Sequence, residues 1–304
     1  MEQTYVIACL ASQPSFPAYT DGGNECWLVS WRTSNMSEAP CQPCKSFYFF
    51  TSTGLCHPHF LWKSQKFKAL GFSVVISDIN EQNLEKALQT LKTIRPQDTK
   101  AISVICNVTQ IDDLQNLWDR AVATFGSVDI WINNAGVNSP DKPVCELTEK
   151  EISFILDVDL KGTVYGSRIA FTGMRKQGFG QIYNVEGYGS NDAMMTRLTM
   201  YGTAKRAVTY FTRSLAKESQ DLTGGKVKVC RLKPGIMITD FITHANGDAT
   251  KIDLTEKMKK VYNILGDYPE TIVDYVVPRM IANEKNEMRL PVMIPGLGSG
   301  ISGG

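Results

Sequence analysis

From about Ser64 onward, the sequence alternates short apolar runs with amphipathic segments of helical periodicity. The runs FSVVISD, AISVICNVT and VDIWINNAG are apolar at consecutive positions, a pattern typical of strands that are buried on both faces. Strands of this kind that alternate with helices form a parallel sheet covered by helices on both sides. We therefore predict a single-domain α/β fold with a doubly wound, Rossmann-type parallel sheet, which binds its ligands at the carboxyl ends of the strands.

The regular pattern covers residues 64–286 and stops abruptly at both ends. Residues 1–63 mix Pro, Ser, Cys and aromatic residues without periodicity. We expect an irregular segment there, either disordered or the product of a mispredicted or alternatively spliced exon. Residues 287–304 end in PGLGSGISGG and are predicted to form a flexible Gly/Ser tail.

The opening of the predicted domain lacks a feature that dinucleotide-binding folds normally have. Such folds begin with a strand, a Gly-rich turn and a helix whose N-terminus faces the pyrophosphate. Before the strand that ends at Asp78, only Thr53 and Gly54 resemble such a turn, and Pro58 would interrupt the helix. We therefore expect the first strand and its Gly-rich turn to be degenerate or missing, which would weaken the anchoring of a pyrophosphate.

The charge balance and the hydropathy argue against several classes of partner. Lys and Arg number 32 against 31 Asp and Glu, so nothing favours a nucleic acid or an anionic membrane surface as partner. No apolar run approaches the ~20 residues of a transmembrane helix. The N-terminus carries Glu2, Asp21 and Glu25 before its first arginine, Arg32, and therefore does not look like a targeting peptide.

The N-terminal segment also contains a cluster of potential metal ligands: Cys41, Cys44, Cys56, His57 and His59. Cysteine and histidine are the usual zinc ligands, which keeps a zinc site open as an alternative. The spacing after Cys44 fits no common zinc finger, however, so we predict no metal site.

Tyr201 and Lys205 are the leading candidates for catalysis. They stand four residues apart on a helix that is predicted to open at Tyr201, so they share one face of it. A neighbouring cation favours the phenolate and lowers the pKa of a tyrosine from about 10. We expect Lys205 to bring Tyr201 into the range in which it exchanges a proton near neutral pH.

Four features occur together in one order along the chain: Asp78 at a strand end, NNAG after a strand, Tyr201-x-x-x-Lys205, and Pro234-Gly235 with Thr239 after a later strand. In this combination the chain resembles the short-chain dehydrogenase/reductase family. The resemblance implies that Tyr201 is the general acid/base and that Lys205 activates it and bonds the nicotinamide ribose. It also implies an NAD(P)H cofactor, contacted by Asn133, Asn134, Ala135, Gly136, Pro234, Gly235 and Thr239.

A narrower resemblance is to chlorophyll b reductases and their plant and cyanobacterial relatives. It rests on NVEGYGS (Asn184 to Ser190), YGTAKRAV and YPETIVDYVVPRM. It implies reduction of the 7-formyl group of chlorophyll b, a porphyrin-type pigment, with NADPH in the chloroplast during chlorophyll breakdown. The family resemblance also implies an oligomer, formed through the long helices with copies of the chain or with related reductases.

The catalytic positions depart from the family pattern at two places. Most members have a serine shortly before the tyrosine, whereas the nearest matching slot here holds Gly187 or Tyr188. Ser190 is therefore our candidate for the hydroxyl that orients the substrate carbonyl. Asp159 stands where the family usually has an asparagine that completes a proton relay, and we include it among the catalytic candidates.

The cofactor positions depart as well. An acid such as Asp78 hydrogen-bonds a ribose 2′-hydroxyl and repels a 2′-phosphate, so it favours NADH over the NADPH that the narrower resemblance implies. Asn107 replaces the aspartate that is common near the adenine. We predict a nicotinamide-dependent carbonyl reductase, and two alternatives stay open: a catalytically impaired subunit or scaffold, and a reductase of another lipid-like carbonyl.

Overall fold

The computed structural model describes residues 4–8, 58–94, 99–237 and 266–291. The strands are β1 (Thr4–Ala8), β2 (Ser73–Asp78), β3 (Ala101–Ile105), β4 (Ile130–Asn133), β5 (Gly180–Val185), β6 (Val227–Lys233), β7 (Ile236–Met237), β8 (Gly266–Asp267) and β9 (Arg289–Pro291). The α-helices are α1 (Pro58–Ala69), α2 (Glu81–Lys92), α3 (Ile111–Phe125), α4 (Glu149–Ile155), α5 (Thr163–Gln177), α6 (Thr199–Thr223) and α7 (Pro269–Ile281). A short 3₁₀ helix covers Val144–Glu146.

Seven of the strands form one sheet in the order β3-β2-β1-β4-β5-β6-β9, and each neighbouring pair is parallel. This confirms the doubly wound α/β fold. The chain winds outward in both directions from β1, so the strand order reverses between β1 and β4. In folds of this kind, the crevice at the carboxyl ends of the two strands at the reversal is the usual ligand site.

Strands β2 and β4 are buried on both faces, as their apolar runs predicted, whereas the edge strand β3 is only partly buried and its Ile105 is 51% exposed. In β2, Val75 packs into one hydrophobic cluster, whereas Val74 and Ile76 pack into the other. In β4, Trp131 packs into the same cluster as Val75, and Ile132 packs into the same cluster as Val74 and Ile76. Because successive side chains of a strand point to opposite faces, an uninterrupted apolar run supplies both cores at once.

The structure differs from the sequence-based expectation at the opening of the chain. Thr4–Ala8 forms β1 in the middle of the sheet, paired with β2 on one side and β4 on the other. Five residues at the chain start are too few for a readable periodicity, so the strand was not expected there. Pro58 does not interrupt a helix but begins α1, where a missing N–H costs nothing. Thr53, Gly54 and the expected Gly-rich turn lie outside the described residues.

The other end of the domain also differs from expectation. Residues 287–304 were predicted to be a tail, yet Arg289–Pro291 forms β9 and pairs with β6. A strand of three residues leaves no detectable pattern in the sequence, and its pairing partner is distant along the chain. In the part of the chain that the structure describes, no helix has both the length and the apolar character that crossing a bilayer requires.

The long helical stretch between β4 and β5 contains an irregularity that the sequence did not indicate. Helix α4 begins with a capping box between Thr148 and Glu151. Seven residues of π-helix, Leu156–Gly162, then separate α4 from α5. Segments of π-helix are rare and occur frequently at functional sites. Here the segment contains Asp159.

Candidate active site

Helix α6 carries Tyr201 and Lys205, and the structure brings them together as expected. The helix begins at Thr199, two residues before the predicted start. The Lys205 ammonium lies 5.5 Å from the centroid of the Tyr201 ring. Tyr201 is 8% exposed and Lys205 is 4% exposed. The pair therefore lies inside the protein, unlike the exposed pairs in which the same spacing arises by chance.

Asp159 in the π segment completes this group. Its Oδ1 atom lies 3.1 Å from Lys205 Nζ and also accepts a hydrogen bond of 3.1 Å from the Val137 backbone N–H. The Asp159 side chain is fully buried. A β-carbon at Gly136 would lie 2.8 Å from Asp159 Oδ1 and 3.2 Å from Lys205 Nζ, so the turn after β4 can pass over the ion pair only with glycine at this position.

The electrostatics of the site correct one expectation from the sequence. Lys205 was expected to lower the pKa of Tyr201, but the pKa of Tyr201 is raised well above 10, because the phenol is buried and Asp159 is negatively charged. Lys205 is engaged with Asp159, so its charge is largely neutralised. Burial also raises the pKa of Asp159, against the opposing effect of Lys205. Tyr201 is therefore a neutral phenol near pH 7, the form that donates a proton.

The turn between β5 and α6 sets the surroundings of the phenol. Gly187 is the residue against Tyr201 Oη, since a β-carbon there would lie 2.2 Å from that oxygen. Ser190, our candidate for orienting the carbonyl, is buried and its hydroxyl is used within the turn. It accepts the Gly187 backbone N–H at 3.1 Å and donates to the Lys205 carbonyl at 3.4 Å. In this arrangement, Ser190 holds Gly187 against α6.

Sequence reasoning did not single out Glu186, which precedes Gly187. Its carboxylate is fully buried and accepts a hydrogen bond of 3.0 Å from the Thr209 hydroxyl of α6. It also lies 3.5 Å from Arg231 Nη1 of β6 and 3.3 Å from Arg289 Nε of β9. An acid directly after an apolar strand was the only sign of this residue in the sequence. Its two arginine partners come from strands far along the chain, so the sequence did not indicate the ion pairs.

The first residue of the NNAG turn has a structural role. Asn133 donates to Asn184 Oδ1 at 2.7 Å and to the Ser167 hydroxyl at 3.0 Å, and accepts the Trp131 indole N–H at 2.9 Å. These side chains are buried. They tie β4 to β5 and to α5, and Asn184 extends the network to Thr212 of α6 through a hydrogen bond of 3.0 Å. Asn133 thus fixes the framework under the site.

The remaining turn residues lie at the carboxyl end of β4. Asn134 accepts a hydrogen bond of 2.6 Å from Lys63 of α1. Ala135 is buried and Gly136 covers the ion pair, as described above. Pro234 and Gly235 follow β6 at the same edge of the sheet, with Gly235 in a left-handed backbone conformation at φ +78°. Thr239 lies outside the described residues.

The two residues expected near the adenosine half end β2 and follow β3. Asp78 is fully buried at the carboxyl end of β2, and its Oδ1 accepts the Asn80 backbone N–H at 2.8 Å. Asn107 closes the turn after β3 by accepting the N–H and the hydroxyl of Thr109 at 3.0 and 2.8 Å. Asn134, Pro234 and Gly235 lie at the carboxyl ends of the strands beside the strand reversal, where folds of this kind bind their ligand, and their position fits a nicotinamide dinucleotide.

A family model described as short chain dehydrogenase matches residues 63–250. The chain belongs to the short-chain dehydrogenase family. Members of this family are NAD(P)-dependent oxidoreductases. The predicted membership and the predicted enzyme class are thereby confirmed.

The curated relatives narrow the resemblance within the family. The chain is 31% identical to a probable chlorophyll(ide) b reductase, NYC1, of Arabidopsis thaliana over 66% of this chain and 39% of that protein. It is 31% identical to the chlorophyll(ide) b reductase NOL of Oryza sativa over 76% of this chain and 66% of that protein. Both relatives are described as chloroplastic. The chain spans about two fifths of the length of the first relative and about two thirds of the length of the second.

The solved structures establish the fold independently. A 3-ketoacyl-(acyl-carrier-protein) reductase from Brucella melitensis, complexed with NADH, superposes with a TM-score of 0.66 at 20% identity. The match covers 78% of this chain and 92% of that chain. At this level of identity, the likeness concerns the fold and its strand order rather than the substrate.

Proposed function

We propose that this short-chain dehydrogenase reduces the 7-formyl group of chlorophyll(ide) b to a hydroxymethyl group, with Tyr201 as the proton donor. The observation that carries the proposal is the buried group of Tyr201, Lys205 and Asp159 at the carboxyl edge of the sheet. The 31% identity to chlorophyll(ide) b reductases of two plants supports the choice of pigment.

Reduction of an aldehyde requires a hydride at carbon and a proton at oxygen. The reduced nicotinamide, when bound, supplies the hydride. Tyr201 supplies the proton from its phenol, which is neutral near pH 7 and carries the O–H that a general acid donates. Because Gly187 has no side chain, the phenol oxygen of Tyr201 can lie directly against the turn at this residue. Asn134, Gly136, Lys205 and the residues after β6 would hold the nicotinamide end.

Exposed apolar side chains in the segment before α6 favour a large apolar substrate. Three apolar side chains of the segment between β5 and α6 are exposed: Tyr188 at 39%, Met194 at 90% and Met195 at 51%. The segment carries Gly187 at one end and leads into the helix of Tyr201 at the other. Methionine side chains are flexible and polarisable, and they adapt to flat apolar surfaces such as a porphyrin ring.

We further propose NADH as the preferred cofactor and the chloroplast as the location. Asp78 at the end of β2 is an acid that disfavours a 2′-phosphate, and Ile79 follows it where an arginine would favour one. The two relatives described as chloroplastic support the location. Pairing through α5 and α6, with a second copy or a related reductase, is the assembly we propose on the family resemblance.

The experiment uses the full chain with chlorophyllide b and either NADH or NADPH. We expect the 7-hydroxymethyl product, identified by mass spectrometry, with faster turnover on NADH. A folded sample that binds reduced nicotinamide but yields no product with either cofactor would exclude the pigment as substrate, and a panel of lipid-like ketones and aldehydes would then identify the carbonyl class. A folded sample that does not bind reduced nicotinamide would support a scaffold role instead.

A further inference from the structure

We infer that Lys63 binds the pyrophosphate of the nicotinamide dinucleotide and takes over part of the anchoring that a Gly-rich turn normally provides. The inference deepens the proposed function at its cofactor site: it rests on the dinucleotide named there and not on the pigment. It concerns binding rather than chemistry, so it is testable without a carbonyl substrate.

The sequence lacks the usual anchor for a pyrophosphate. Dinucleotide-binding folds have glycines in the turn after the first strand, so that N–H groups of the turn and of the next helix approach the phosphates. Between β1 and α1, the sequence has Gly22, Gly23 and Gly54 as its glycines, and they form no G-x-G-x-x-G pattern. Because a pyrophosphate is negatively charged, binding it without this turn calls for another source of positive charge.

Lys63 provides a positive charge at the ligand-binding edge of the sheet. It is located in the second turn of α1, the first described helix after β1. Helical side chains lean toward the N-terminus of their helix, which directs Lys63 to the carboxyl edge of the sheet. There its ammonium donates a hydrogen bond of 2.6 Å to Oδ1 of Asn134, the residue directly after β4. The ammonium therefore lies at the reversal of strand order between β1 and β4, where folds of this kind bind a dinucleotide.

The strand order places this ammonium between the two halves of the expected cofactor site. Asp78, expected at the adenosine ribose, ends β2 on one side of β1. Tyr201 and Gly136, expected at the nicotinamide, lie on the other side, against the turns that follow β5 and β4. A pyrophosphate joins the two halves of a dinucleotide. It therefore crosses the edge of the sheet close to the point where Asn134 holds Lys63.

The burial of Lys63 favours a role for its charge. The residue is 1% exposed, and moving an ammonium out of water costs free energy that an apolar side chain of similar length does not cost. A charge inside the protein is also screened less by salt than a charge at the surface. Helix α1 contains Lys63, Lys66 and Lys68 but neither Asp nor Glu, so it carries no acid that would repel a phosphate.

Lys68 is a matched control on the same helix. It is 2% exposed, and its ammonium donates to the Thr99 carbonyl at 2.9 Å and to the Thr99 hydroxyl at 2.7 Å. Thr99 precedes β3, so this ammonium lies at the amino edge of the sheet, away from the dinucleotide crevice. Methionine at either position removes a buried charge and keeps the length of the side chain. The two variants therefore share a structural cost and differ in their distance from the site.

The test is a calorimetric titration of the full chain with ADP, which carries a diphosphate, and with adenosine, which does not. We expect Lys63→Met to weaken ADP binding by about 10- to 100-fold, because a charge-assisted contact to phosphate is lost. Adenosine binding should stay at the wild-type level in this variant. Lys68→Met should bind both ligands as the wild-type protein does. The affinities for NADH and NADPH, measured by fluorescence, should both fall in Lys63→Met.

Several results would overturn the inference. These are an unchanged ADP affinity in folded Lys63→Met, an equal loss for adenosine, an equal loss in Lys68→Met, and a wild-type protein that does not bind ADP. A loss confined to NADPH and 2′-AMP would assign Lys63 to a ribose 2′-phosphate and would overturn the inference as well.

A second measurement applies if Lys63→Met does not fold. In the wild-type protein labelled with ¹⁵N-lysine, the Lys63 ammonium signal is identified by its absence in Lys63→Arg. We expect this signal to shift when ADP is added and to stay in place when adenosine is added. A signal that does not respond to ADP would refute the contact with the diphosphate.

The outcome is separable from that of the proposed function. A protein that binds ADP through Lys63 but does not reduce chlorophyllide b would refute the substrate and leave Lys63 as an anchor of the pyrophosphate. Conversely, reduction of chlorophyllide b by Lys63→Met with an unchanged KM for NADH would support the substrate and overturn the role of Lys63.

Discussion

Replacing Gly187 with serine introduces the hydroxyl that the family pattern carries near this position, yet we expect the change to impair reduction. A β-carbon at residue 187 would lie 2.2 Å from Tyr201 Oη and 2.9 Å from its Cζ atom. A carbon–oxygen contact needs about 3.3 Å, so the phenol oxygen must move by about 1 Å. Misplacement of a catalytic group by this distance costs on the order of 10²-fold in rate, or about 2.7 kcal/mol.

The assay is kcat/KM for carbonyl reduction by Gly187→Ser, with Gly202→Ala as the matched control. Gly202 directly follows Tyr201 in α6, but a β-carbon there meets only Gly189 Cα at 3.8 Å, an ordinary contact. We expect Gly202→Ala to keep wild-type activity and to gain about 0.5–1 kcal/mol of stability, because alanine favours a helix. Wild-type or higher kcat/KM in folded Gly187→Ser would refute the reasoning that Tyr201 needs this empty space.

Three further predictions concern the framework around the site. Glu186→Gln removes a buried charge that faces two arginines, so we expect the free energy of unfolding in urea to fall by about 3 kcal/mol. As a control, Glu287→Gln removes one partner of a surface ion pair and should lower the free energy of unfolding by about 0–1 kcal/mol. Asn133→Ala leaves several buried polar groups unpaired and should cost about 2–3 kcal/mol in the same assay; a cost below about 1 kcal/mol would contradict its framework role. Burial raises the pKa of the Cys106 thiol to about 12, so iodoacetamide at about pH 8 should modify the exposed Cys145 but not Cys106 in peptide maps of the native protein.

The architecture was predictable from the sequence because it depends on local patterns. The apolar runs of β2 and β4 fill both cores, and the Tyr201 and Lys205 spacing places both side chains on one face of α6. These features need no knowledge of distant residues. The strand at Thr4–Ala8 and the strand at Arg289–Pro291 escaped prediction, because each is too short to carry a period and is defined by its partners in the sheet.

The electrostatics of the site were not predictable from the sequence, because they depend on contacts between distant residues. The rule that a lysine lowers the pKa of a neighbouring tyrosine considers only Tyr201 and Lys205. The structure adds Asp159, which the π segment brings to 3.1 Å from the ammonium, and the burial of the phenol reverses the expected direction. The position of Asp159 depends on an extra helical residue that no sequence pattern indicated.

The role of Tyr201 as proton donor is decided by comparing Tyr201→Phe with Tyr210→Phe in the reduction of chlorophyllide b by NADH. Tyr210 lies on the same helix and is 76% exposed, so its phenol serves as the matched control. We expect kcat/KM to fall on the order of 10²–10⁴-fold in Tyr201→Phe and to stay at the wild-type level in Tyr210→Phe. Wild-type kcat/KM in folded Tyr201→Phe would show that the proton reaches the carbonyl oxygen from another group.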